Sequence, residues 1–131
     1  MDSSQIELKG SHIAAVERSA GSLRLRFGRA LIVKSMTGSR ERTRWWQAGS
    51  LLFEGATTVP ELPQGAQICA GGDLEDNIYT YRDMIPIPFE SRGRIRCVLQ
   101  LEGQAAPLTI EAGAVRLELD AVPKYIEHIR P

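Results

Sequence analysis

Two adjacent tryptophans, Trp45 and Trp46, follow three arginines, Arg40, Arg42 and Arg44, in the stretch RERTRWWQ at residues 40–47. An exposed tryptophan beside a guanidinium suits stacking on a base, stacking on a sugar, or anchoring a protein partner. If this stretch runs as one regular strand through residue 53, Trp45 shares a face with Leu51 and Phe53. Trp46 then lies opposite, beside Arg44, Ser50 and Glu54. That parity assigns Trp45 to a core and Trp46 to a surface. A bulge at Gly49 would exchange the two. The candidate binding residues are therefore Trp46, Arg44 and Arg42, with Tyr79 and Tyr81 contributing from a later stretch.

Other groups with chemical potential are less organised. Arg24, Arg26, Arg29, Arg40, Arg42 and Arg44 could line one polar sheet face, either solvated and paired with acids or open to a phosphate or acidic partner. The run DLEDN clusters Asp73, Glu75, Asp76 and Asn77, but lacks the central glycine and terminal glutamate of a calcium loop. His12 and His128 stand in no spacing of metal-ligand type, so no metal and no cofactor is expected. No nucleophile elbow, phosphate loop or dinucleotide fingerprint is present. No residue is assigned as catalytic. Were there a catalytic acid, Asp73, Glu75, Asp76 and Asp83 with Tyr79 or Tyr81 would be the residues to test.

The elements that must position these residues show in the alternation. SLRLRF sets Leu23, Leu25 and Phe27 against Arg24 and Arg26; RIRCVLQL sets Ile95, Cys97, Leu99 and Leu101 against Arg94, Arg96 and Gln100. VRLEL repeats the pattern with Val115, Leu117 and Leu119. Period two over short runs means strands with one wet face, which favours antiparallel pairing. Turn residues at Ser19-Ala20-Gly21, Gly28, Glu102-Gly103 and Ala112-Gly113 divide the runs. The fold expected is a single all-β domain over residues 1–131, an antiparallel β-sandwich or flattened barrel of roughly seven to nine strands. TTVPELPQG reads as a proline-rich connection. Residues 70–93 read as one long loop with a short helix capped by Asp73, carrying Leu74, Ile78 and Tyr81 on one face. A strand over residues 77–81 fits the same string. The predicted core is Leu23, Leu25, Phe27, Trp45, Leu51, Phe53, Ile95, Cys97, Leu99, Val115, Leu117 and Leu119.

Composition bounds the function. The chain has 131 residues, 43% hydrophobic and 24% charged, with 16 basic and 16 acidic residues. Zero net charge and the lack of a fingerprint argue against a dedicated nucleic-acid binder. The balance hides an asymmetry: residues 1–50 hold nine Lys/Arg and four Asp/Glu, residues 51–90 one and seven, residues 91–131 six and five. Segregated charge suits self-association, including a homodimer, or a charged partner. No signal peptide, no spanning apolar run and no CxxC spacing of Cys69 and Cys97 is seen, so a cytoplasmic chain off the membrane is expected. The expectation is a non-catalytic protein-interaction module, with small-ligand or carbohydrate binding at the aromatic platform as the alternative.

Overall fold

The computed structural model describes residues 3–59 and 61–130. Ten strands follow in order: β1 (Ser3–Ser19), β2 (Ser22–Ser35), β3 (Arg42–Glu54), β4 (Thr57–Val59), β5 (Gln67–Asp76), β6 (Tyr79–Arg82), β7 (Met84–Ile87), β8 (Glu90–Leu101), β9 (Leu108–Leu119) and β10 (Lys124–Ile129). Every pairing is antiparallel. The order β3–β2–β1–β5–β8–β9 closes on itself because β9 also pairs with β3. The result is a six-stranded flattened barrel. At one end it opens into a flap, where β7 extends the sheet beyond β1 and β10 extends it beyond β3. Closure removes most sheet edges, and the flap restores some of them.

The alternation read from the sequence is what fills this barrel. Leu23, Leu25, Phe27, Leu51, Phe53, Ile95, Cys97, Leu99 and Val115 are buried, and Trp45, Leu117 and Leu119 pack half-buried against them. Ile6, Leu8 and Ile13 from β1, Ile32 from β2, Leu74 from β5, Ile85 from β7 and Ile110 from β9 complete the core.

Residues 70–93 are not a loop, and no helix occurs among the described residues. β5 and β6 instead form a hairpin with Asp76 opposite Tyr79, and Asn77 at the turn takes a left-handed φ of 57°. A helical face would have joined Leu74, Ile78 and Tyr81. In the hairpin Leu74 is fully buried, while Ile78 sits at the tip, 94% exposed. The Asn77 side chain is why this turn is fixed. Its Oδ1 accepts the Arg94 N–H at 2.9 Å and its Nδ2 donates to the Arg92 carbonyl at 2.9 Å, fastening the tip to β8.

Two glycine positions that read as turns lie inside continuous strands. Ala112-Gly113 runs within β9, opposite a bulge of β8 between Arg92 and Ile95. Gly28 belongs to a bulge of β2: Phe27 pairs with Gly49 and Ala30 with Gln47, so β2 carries one residue too many. Because the extra residue is in β2, β3 keeps a regular alternation, with Trp45 on the core side and Trp46 outside. Gly49 is needed for another reason. A Cβ there would approach the Glu118 carbonyl oxygen to 2.6 Å, where β9 crosses close to β3. Pro60, in the proline-rich connection, lies outside the described residues.

Candidate interaction surface

β3 presents Arg42, Arg44 and Trp46 outward, opposite Ile129, Glu127 and Lys124 of β10. Three of the five sequence-derived site residues therefore stand together beside the flap. Arg44 is committed within the molecule. Its guanidinium bonds Glu127 at 2.6 Å and Glu7 at 3.5 Å, tying β1, β3 and β10 across the outside of β2. Burial works against its charge, but the bond to Glu127 and the charge of Glu7 outweigh that, and its pKa is raised. Its Nε is buried with no partner among the described residues. Arg42 is exposed.

The two tryptophans sit in different settings. Trp45 packs against the core, donates its Nε1–H to Thr43 Oγ1 at 2.8 Å, and meets Tyr125 edge-on at 5.3 Å. The Lys34 ammonium lies 4.5 Å from its ring centre. Trp46 is half-buried on the outer side. Arg29 and Lys124 lie 4.5 and 4.7 Å from its ring centre. Such contacts hold long cationic side chains in one place.

Tyr79 and Tyr81 do not join this cluster. They lie on β6, which pairs with β5, and β5 is three strands from β3 in either direction round the ring. Tyr79 stacks on Tyr81 at 6.4 Å, and Tyr81 meets Phe89 edge-on at 5.8 Å, so Tyr81 serves the core.

The acids of residues 73–83 each have their own partner. Asp73 pairs with Arg82 and Glu75 with Arg96. Ser91 Oγ and Asn77 Nδ2 donate to Asp76. Asp83 accepts the Lys9 N–H at 3.1 Å. Asp76 and Asp83 lie at opposite ends of the β6 hairpin, about 10 Å or more apart along the strand. The histidines are also apart, with His128 bonded to Glu41 at 2.9 Å and His12 opposite Arg29. Among the described residues no group of three or more His, Cys, Asp or Glu could hold a metal ion. Cys69 and Cys97 are free and buried. Burial pushes their thiols up to about 11 and about 12, away from nucleophilic use near neutral pH.

Sequence reasoning missed three features here. Among the described residues β10 pairs only with β3, and Lys124, Tyr125, Ile126, Glu127 and His128 are all exposed. Arg29 and Lys124 make no ion pair among the described residues, whereas Arg26 pairs with Glu17 at 3.5 Å on the same side of the sheet. His12 faces Arg29 across β1 and β2. One signal was legible for Arg29. Core residues fall at 23, 25 and 27 and then at 30 and 32, and the missing parity marks the bulge that turns Arg29 outward.

No helix of the described residues is long and apolar enough to cross a membrane. Comparison with protein-family models, with characterised proteins and with solved structures returns no match.

Proposed function

We propose that the chain is a non-catalytic protein-interaction module of the cytoplasm that takes an extended segment of a partner protein along the open edge of β10. The observation that carries this reading is that, among the described residues, β10 is hydrogen-bonded on one side only while its side chains are exposed, Tyr125 at 54% and Ile126 at 39%. An unpaired edge offers backbone donors and acceptors that only another extended backbone satisfies well. Trp45 supports the edge from behind by packing on Tyr125. Lys124, Glu127 and the bulge at Ile126 work against indiscriminate pairing, so a matching strand must suit both the charges and the kink. Two free, buried cysteines accord with a reducing compartment.

The test is capture of a stoichiometric partner from a nuclease-treated lysate of the source organism with three tagged chains. The wild type and Ile78→Lys, altered at the far hairpin tip, retain the partner, and Ile126→Lys loses it. Retention by Ile126→Lys at the wild-type level contradicts the reading. A β10-to-β10 dimer in light scattering would assign the edge to self-association instead.

A further inference from the structure

The bulge of β2 has a consequence on the outer face of the barrel. Unbroken alternation from Phe27 would turn Arg29 inward; the extra residue turns it out and leaves Ala30 in the core, fully buried. Arg29 then stands opposite His12, and both are exposed. Beside them runs a groove of about 440 Å³ between β1, β2 and β3. Besides Arg29 and His12 it is lined by Ile13, Trp46 and three small residues, Ala14, Gly28 and Ala66, the last of these just before β5. Arg29 and His12 are the charged or titratable residues that line it, and no acid does. Lys124 reaches the same tryptophan from β10.

We infer that this groove is a binding site for a small phosphate monoester. The charge pattern selects the anion. Arg44 and Arg26 on this side of the sheet are paired with glutamates, whereas Arg29 makes no ion pair among the described residues and faces a groove that no acid lines. Trp46 holds the Arg29 guanidinium at the groove, 4.5 Å from its ring centre. A guanidinium and an imidazole N–H facing one groove offer several donors to a single dianionic group. A phosphate monoester carries close to two negative charges at neutral pH. The volume beside the small residues leaves room for the organic body of the ester, which inorganic phosphate would leave empty. This site does not rest on pairing at the β10 edge, since Arg29 and His12 belong to β2 and β1.

The test is titration of phenyl phosphate into the isotope-labelled chain, followed by amide and indole resonances at constant ionic strength. Saturable shifts are expected at the Trp46 indole and around Arg29 and His12. Arg29→Gln should weaken binding at least tenfold and His12→Ala severalfold, each with an unchanged melting curve. Ile126→Lys should leave binding as it is, so that this site and the edge fail separately. Absence of saturable shifts, equal shifts with sulfate, or wild-type affinity in both Arg29→Gln and His12→Ala would overturn the assignment.

Discussion

Ser11 and Leu31 are joined by a hydrogen bond that replaces a missing rung of the β1–β2 ladder. Between Glu7 and His12, β1 bulges away from β2, and Gly10 takes a φ of 92°. Ser11, fully buried, donates its hydroxyl to the Glu7 carbonyl at 2.6 Å and accepts the Leu31 N–H at 3.0 Å. One side chain thus satisfies two backbone groups that the bulge would strand. Ser11→Ala is expected to cost about 1–3 kcal/mol in chemical denaturation, since the Leu31 N–H loses its partner. Unchanged stability would show that water replaces the hydroxyl.

Gly93 and Asn77 make a second such joint. Gly93 has a φ of 124°, and a Cβ there would run into the Asn77 carboxamide. Gly93→Ala should therefore cost roughly 1–3 kcal/mol, from strain and from release of the hairpin tip. Asn77→Ala should release the tip in the same way. Amide exchange at Arg94 is the local readout, and both variants should accelerate it.

The buried thiols predict an alkaline weakness. An unfolded thiol ionises near pH 9, whereas the folded chain keeps Cys69 and Cys97 protonated until about 11 and about 12. Above pH 9 the unfolded state therefore binds fewer protons than the native state, and stability falls as pH rises. Each thiol contributes a slope of about 1.4 kcal/mol per pH unit in that window. Cys69→Ala/Cys97→Ala should flatten the dependence between pH 9 and 11, although it lowers stability at pH 7. An unchanged slope would place the alkaline effect elsewhere.

Leu25 and Leu99 are both fully buried inside the barrel. Truncation of either to Ala should cost roughly 2–5 kcal/mol, read as a lowered melting temperature. An unchanged melt would contradict their place in the core.

Much of the barrel was legible because its strands obey period two over long stretches. Trp45 and Trp46 could be sorted into inner and outer sides because β3 is regular from Trp45 to Phe53, the bulge having fallen in β2. Residues 70–93 misled for a physical reason. LEDNIYTY fits a helix turn as well as a hairpin, and the choice is made by Asn77 adopting a left-handed conformation and clamping Arg92 and Arg94, fifteen and more residues away. The β10 edge was invisible because KYIEHI is exposed on both faces and bulged at Ile126, so it carries no alternation. Arg42, Arg44 and Trp46 stand together because alternate positions of one regular strand share a face. Only residue type links Tyr79 and Tyr81 to them in the sequence, and the ring of strands separates the two groups.

The most direct test of the proposed interaction module is amide hydrogen exchange of the chain alone and with a partner captured as above. Pairing at the edge predicts that amides of Lys124–Ile129 slow at least tenfold in the complex, while those of the β6 hairpin are unchanged. Exchange in β10 unaltered by the partner, with slowing at another surface, would contradict it.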